Sequence, residues 1–536
     1  MPLVTLLCTD KEQMLCGGRH QMYTNILDDL FSRLDADLVF FQDGYIMDTK
    51  FNTWAKRQNK NYNNSIKVID QINQLIPLKR IVEKFYNLIY SKTMITSIEE
   101  SCKKHGQLIF AVYRECDQEL AKFASKNSRV LAVFSNDSDF LIFAGAWRYF
   151  SIKDINLKTL KTKEFNRKAF KSQLKLNYYQ LSILATIAGN DIVLREELKR
   201  FHSSFDHKGT TFDRFASYIK KNFQNPSDHQ NSIHFLAQEI YGSNHIEHVT
   251  RVHQSITSYN VFFENPENPF VVYLRDHHLF TFNILNGSPL NLSLVYFDSR
   301  PNDMSYFELS VPILQRQAGI VLMQSSKPDS SLTIYSKVSH LSNYSRLFAS
   351  PIFPPFEVPS LDELYSDDPT YDENRFDLLK WTINWEKLKD FDLRLIPSTY
   401  MIAVLTIVYL KQLEIISSKE ADIFLWTIKN VVNNTIPRNL RPPTVLNPRA
   451  FRLSFLYTKM FANVARSIEV CGFKKQYWVS WSKKDQHYIG GTYNFLLFCR
   501  NLATLMASSF ITNTTNLNSK ISTHSRCLIN FDEHFE

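Results

Sequence analysis

Glycine is scarce in this chain, with 13 among 536 residues, while phenylalanine reaches 41. That balance argues against a turn-rich all-β protein and for helices with compact packing. Cysteine is also sparse. Seven residues, an odd number with no Cys-x-x-Cys, exclude a disulfide scaffold and a structural zinc site. Long apolar runs are lacking. The most hydrophobic stretch, Met401 to Leu410, is too short to span a bilayer and reads as a buried helix. Asp10, Lys11 and Glu12 interrupt the apolar start, so no secretory signal is expected there. A nuclear or cytoplasmic protein that is not secreted and has no membrane partner is the expectation. Neither a Gly-x-Ser-x-Gly elbow, a Walker loop nor a Rossmann fingerprint occurs, which removes the common serine-hydrolase, nucleotide-triphosphate and dinucleotide readings.

What is present is the profile of a folded protein. Hydrophobic residues make up 44% and charged residues 21%, and the length suggests two to four domains. The net charge of +9 permits nucleic-acid binding without establishing it. Apolar runs at 3–8, 37–41, 108–113 and 130–134 read as buried strands. Between them, residues 22–34, much of the stretch up to 105, and 114–124 show helical spacing. Strands alternating with helices predict an α/β domain with a mostly parallel sheet, over residues 1–195. Tyr178 to Ala188 is an apolar helix stopped by Gly189.

Beyond that domain, 196–350 reads as a mixed helical and β extension. Its β-like runs are Phe270 to Leu274 and Leu292 to Phe297, with a turn at Asn286-Gly287. Residues 351–377, rich in proline and acid, read as a linker, and 378–536 as a helical C-terminal domain with a loosely ordered tail after Ser508. Two basic segments stand out. Lys50, Lys56, Arg57 and Lys60 lie among aromatic and amide residues. Lys153, Lys158, Lys161, Lys163, Arg167, Lys168, Lys171 and Lys175 face only Asp154 and Glu164, and a solvated face explains them most simply. His245 and His248 have a metal-compatible spacing, but a polar helix turn accounts for them, because zinc needs three or four ligands.

The strand exits carry the chemistry. Asp43-Gly44 follows one strand, Glu115 and Asp117 the next, and Asp137 and Asp139 a third, within Ser135-Asn-Asp-Ser-Asp-Phe140. Asp191 follows the apolar helix in Gly189-Asn-Asp191. Ligands of open α/β sheets bind at the carboxyl ends of strands. Each acid alone can be a cap or a turn. Together they would repel one another unless cations were present. Two hard divalent ions about 4 Å apart are a known answer for phosphodiester hydrolysis.

That ordered series (Asp-Gly, Glu-x-Asp, Asp-x-Asp, Gly-x-Asp) resembles the flap-endonuclease superfamily with its PIN-like nuclease domain. Within it, Cys16-Gly-Gly18, Ser135 to Phe143 and Ala188-Gly-Asn-Asp191 are similar to the asteroid proteins. The resemblance covers about residues 10–195. It implies that Glu115, Asp117, Asp137, Asp139 and Asp191 bind two Mg²⁺ or Mn²⁺ ions, with Asp43 beside them as a further catalytic acid. It implies that Lys50, Lys56 and Arg57 bind substrate phosphate. Where the superfamily begins Met-Gly-Ile/Val-x-Gly-Leu and has a strand ending in its first metal-binding Asp, this chain begins Met-Pro-Leu-Val, so that block is expected to be missing. Asp10 follows an apolar run and is the one alternative candidate for that acid, but only six residues separate it from Gly17, short for the family's strand–helix arm. The superfamily's Gly-hairpin after the last Asp is absent, since Ile192 to Phe205 has no glycine. Two functions follow. One is a metal-dependent, structure-selective nuclease on DNA ends, flaps or single strands, with a repair role and RNA the less favoured substrate. The other is a catalytically impaired pseudo-nuclease acting as an adaptor, with protein partners on its C-terminal helices, in receptor-tyrosine-kinase (EGF receptor) signalling.

Overall fold

The computed structural model describes residues 20–88, 94–205, 209–224, 229–262, 268–293, 296–300, 305–323, 325–326, 328–384, 390–433 and 443–473. The expected first strand at 3–8, Asp10, Cys16 to Gly18 and the tail after Ser508 lie outside these residues. The described chain is mixed α/β, mostly helical with small sheets. It divides into two compact units: 39–54 with 108–272, and 20–38 with 55–107 and 273–473.

In the first unit, strand β1 (Leu38–Asp43) is paired with β2 (Gly106–Ala111). A second sheet runs β3 (Ala132–Ser135), β4 (Arg148–Ser151), β5 (Glu164–Phe165). β3 and β4 are parallel, β4 and β5 antiparallel. A parallel pair needs a crossover of about a dozen residues. Here residues 136–147 supply it, and the Asp-x-Asp pair is carried at its start, where Ser138–Leu141 makes one 3₁₀ turn. Phe140 is pinned in that turn because its ring is fully buried against Phe143, Trp147 and Tyr149.

The core of this unit is built on the helix Tyr178–Ala188. Asn177 caps its start in a reciprocal box with Gln180, and Gly189 ends it at φ +96°, a conformation that L side chains rarely adopt. Leu181, Ile183, Leu184 and Ile187 are at most 1% exposed. A helix apolar on several sides has to be surrounded. It packs against the helices Thr211–Asn222 and Ile246–Thr257, and His229–Tyr241 packs on the latter.

In the second unit the apolar run at 401–410 lies inside the helix Ser398–Gln412 and is buried at all ten positions. It packs against Pro448–Val470, which also meets Tyr306–Leu322. A small sheet of β6 (Leu290–Asn291), β7 (Leu332–Ser336) and β8 (Ser345–Ala349) belongs to this unit. Phe270 to Leu274, expected as β, is instead part of a helix, Pro269–His277. A short apolar run fits either state, and Asn268, whose side-chain oxygen accepts from Phe270 N at 2.9 Å, settles it as a helix start. Of the second expected run, Leu292 and Ser293 are loop that follows the two-residue β6. The stretch 351–377 carries a short helix, Leu361–Tyr365, capped by Ser360, and the start of Asp372–Ile383. Arg375, 1% exposed, ties it together by donating to the carbonyls of Leu364, Ser366 and Asp368 and to the Asp372 carboxylate.

Candidate active site: carboxylates around Lys50

Four segments of the first unit bring acids toward one place, and each is held by a specific local device. At the exit of β1, Gly44 donates its N–H to Ala111 O at 2.8 Å. A Cβ at Gly44 would lie 2.6 Å from that oxygen and from Val112 Cγ1. Asp43 is therefore delivered next to the end of β2 only because a glycine follows it. At the exit of β2, the buried Glu119 carboxylate accepts from the N–H groups of Tyr113 (2.7 Å) and Arg114 (2.9 Å). This bends the chain into the helix Cys116–Lys126. Glu115 stands at its N-cap position but makes no side-chain cap. Its carboxylate is left to reach Lys50, at 2.7 Å.

After β3, the Asp137 carboxylate accepts from Asp139 N at 3.0 Å, which turns the two acids together. Tyr149 donates its hydroxyl to Asp137 O at 2.7 Å, and Asn136 accepts from Lys153 N at 2.8 Å. At the fourth segment, Asn190 shapes the Gly-Asn-Asp turn. Its side-chain oxygen accepts from Ile192 N and Val193 N, and its amide donates to Ser255 at 2.7 Å and Tyr259 at 3.4 Å. Asp191 then lies 3.3 Å from the Lys50 ammonium.

The electrostatics record the crowding. The Asp117 carboxyl is pushed up to about 7, first by burial and then by Asp137, with Lys50 opposing and Asp139 and Asp43 adding. Asp139 is pushed up to about 6 by burial and by Asp137, against a hydrogen bond from Tyr259 and the charge of Lys50. Asp43 is raised too, by desolvation. Burial works against the Lys50 ammonium, but Glu115, Asp191 and Asp117 outweigh it and raise its pKa. All six acids expected from the sequence thus fall in one unit, and Lys50 pairs directly with two of them. Lys56 and Arg57, expected beside Lys50, lie further along the helix Phe51–Asn73, among residues that belong to the second unit. His245 is the N-cap position of Ile246–Thr257, and His248 hydrogen-bonds Ser243.

The donor set is chemically suited to a hard divalent ion, since it offers carboxylate oxygens whose mutual repulsion a cation would relieve. Among the described residues, no three carboxylate, imidazole or thiol groups already form a ligand shell. Sequence reasoning missed the buttresses. Glu119, Asn136 and Asn190 adjoin the acids, but nothing distinguishes a bracing residue from an ordinary one. Tyr259 is separated from Asp139 by some 120 positions, with no local signal to link them.

Comparison with known proteins adds the following. Residues 174–262 match the FAM120A-like domain, a span that contains Asp191, Asn190 and Tyr259. The chain is 26% identical over 225 residues to the bovine constitutive coactivator of peroxisome proliferator-activated receptor gamma, covering 39% of this chain and 31% of that protein. The human protein of the same name is 26% identical over 235 residues, 42% of this chain and 25% of the relative. The zebrafish single-strand DNA endonuclease ASTE1 is 25% identical over 217 residues, 37% of this chain and 29% of the relative. The chain therefore spans about a third or less of the curated relatives it matches, and no solved structure matches it.

Proposed function

We propose that the first unit is an asteroid-like, PIN-type nuclease unit that hydrolyses phosphodiesters with divalent metal ions, acting on single-stranded or frayed DNA. The observation that carries this is the convergence of acids from four separate segments, Asp43, Glu115 with Asp117, Asp137 with Asp139, and Asp191, around one lysine. A structural role alone gives no reason to gather acids whose ionisation the fold opposes, and such perturbation clusters at functional sites. The similarity to a protein named a single-strand DNA endonuclease supports the choice of substrate.

In this reading Asp117, Asp137, Asp139, Asp191 and Glu115 hold Mg²⁺ or Mn²⁺, which supplies a Lewis acid and a lowered water pKa. Asp137 and Asp139 are preset by their shared hydrogen bond, and Tyr259 fixes the orientation of Asp139. Lys50 keeps Glu115 and Asp191 from repelling before substrate arrives, and is the cation within reach of an incoming phosphate.

The test uses purified full chain with Mg²⁺ or Mn²⁺ on labelled single-stranded, flap, hairpin and duplex oligonucleotides. Cleavage of single-stranded or flap substrates is expected, with a loss of at least a hundredfold in Asp137→Asn/Asp139→Asn. Equal behaviour of wild type and variant refutes the reading. In that event the second reading, a metal-free adaptor that keeps the fold, gains: its support is the Lys50 ammonium already balancing Glu115 and Asp191, and the similarity to proteins named as coactivators.

A further inference from the structure

Most of the chain's positive excess is concentrated in one short segment. Residues 153–175 hold eight cations against two acids, a net of +6 within a chain of net +9. In the structure this segment is not a loose charged surface. Its first part is the β4–β5 hairpin, and the hairpin is fastened at both ends. At the base, Ser151 N donates to Lys163 O at 2.9 Å, and Phe150 pairs with Glu164 across the ladder. At the tip, the Asn156 side chain accepts from Lys158 N and Thr159 N, both at 3.0 Å, while Leu160 takes φ +56° and Asn156 N reaches Lys161 O at 2.8 Å. The Asn156 turn places Lys158 and Lys161 at an ordered tip, where both are exposed.

The hairpin is also joined to the acid site. Asn136, the residue before Asp137, accepts from Lys153 N at 2.8 Å and from Ser151 Oγ at 3.3 Å, and Ile152 N donates to Ser135 O at 3.2 Å. The two acids in the segment are already engaged, Asp154 by Lys163 at 2.9 Å and Glu164 by the Arg148 fork. One large exposed ring lies on the outward face of this sheet: Phe134, 41% exposed and 5.2 Å from Phe150. Phe165 points to the other face, where it stacks on the buried Tyr149. Ordered cations beside an exposed aromatic ring are the two parts of a single-strand binding surface, one for phosphates and one for a base.

We propose that the hairpin 151–165 is a preorganised guide that binds the phosphates of a single nucleic-acid strand and lays it beside the Asp137–Asp139 turn. It rests on the nuclease reading for the direction in which the strand is delivered, but the binding surface stands without it. Because the hairpin's own hydrogen bonds fix the tip before any ligand arrives, little ordering is left to oppose binding.

The test is salt-dependent binding of the full chain in EDTA, so that no cleavage occurs. The probes are fluorescein-labelled 20-residue single strands of DNA and of RNA, with a duplex of the same sequence, read by anisotropy from 50 to 200 mM KCl. Each phosphate contact to a single strand contributes about 0.7 to the slope of log K against log salt, so Lys153→Gln/Lys158→Gln/Lys161→Gln is expected to flatten the slope by about 2. Over that salt range the wild type should then lose about 18-fold more affinity than the variant. Three exposed cations elsewhere in the same unit, in Lys199→Gln/Arg200→Gln/Lys221→Gln, should leave the slope unchanged. Circular dichroism and thermal midpoints confirm that both variants fold. The inference is overturned if the two variants flatten the slope equally, if neither does, if the wild type binds no single strand at 50 mM, or if the duplex binds as tightly as the single strands. Binding that behaves as expected together with no cleavage under Mg²⁺ or Mn²⁺ would overturn the nuclease reading and leave the guide standing.

Discussion

Asp117→Asn should make the metal-free protein more stable, although the substitution falls in the middle of the candidate site. In the fold this carboxyl is pushed up to about 7 from an ordinary value of 3.8. Between about pH 4 and 7 the folded chain therefore holds a proton that the unfolded chain has released. Stability is present below the unfolded value and is lost as pH rises through the folded one. Each pH unit of difference corresponds to about 1.4 kcal/mol, so three units set an upper bound of about 4 kcal/mol. Coupling to Asp137 and Asp139 and partial contact with water reduce this to about 2 kcal/mol near pH 7.5. Asparagine carries no charge, so the variant should be more stable than wild type by about 2 kcal/mol at pH 7.5 and by less than about 1 kcal/mol at pH 5. Urea unfolding in EDTA at pH 5, 6 and 7.5, followed through Trp147 in the core of this unit, measures both. Adding Mg²⁺ should stabilise the wild type more than the variant, because the ion replaces the missing countercharge. A variant that is no more stable at pH 7.5, or that keeps the wild-type pH slope, would show that the acids are not forced together.

Tyr259→Phe removes the hydrogen bond that favours ionised Asp139, so the Asp139 carboxyl should rise further, divalent-ion affinity should fall several-fold, and a carboxyl-resolved NMR titration with Mn²⁺-free protein would detect the shift. Gly44→Ala should destabilise the first unit by more than about 2 kcal/mol, since its Cβ would meet Ala111 O at 2.6 Å, and thermal unfolding reads this directly. Gly319→Ala should be at least as costly for the second unit, because the added carbon would lie 1.7 Å from Ile352 O. Arg375→Met removes the donor to the carbonyls of Leu364 and Ser366 in a buried place, along with weaker support to Glu363 and Asp368, and should cost about 3 kcal/mol, with loss of protection in hydrogen exchange across 361–376.

The strands near 37–41, 108–113 and 130–134 and the helix at 178–188 were legible because each depends on local pattern, whereas the expected single, mostly parallel sheet is instead two small sheets, one of them partly antiparallel. An apolar run of five residues before Asp137, or of eleven ending at Gly189, is readable wherever it occurs, and acids at strand ends point to the carboxyl edge of a sheet. Phe270 to Leu274 was misread because five apolar residues carry no period long enough to separate helix from strand. The basic run at 153–175 was equally visible, but composition does not distinguish a loose charged segment from an ordered hairpin. The hydrogen bonds through Asn136 and Asn156 show that it is ordered.

By itself, then, the sequence determined which residues carry charge and which acids stand just after a strand or the apolar helix. Tertiary structure decided that Lys50 lies between Glu115 and Asp191, that Lys56 and Arg57 are grouped with the other unit, and that Glu119 braces a loop rather than joining the cluster. It also decided that Asp139 is oriented by Tyr259 from a helix end far along the chain. The physical reason is that spacing along a strand or helix is local, whereas the partner of a charge depends on which distant segments the core draws together.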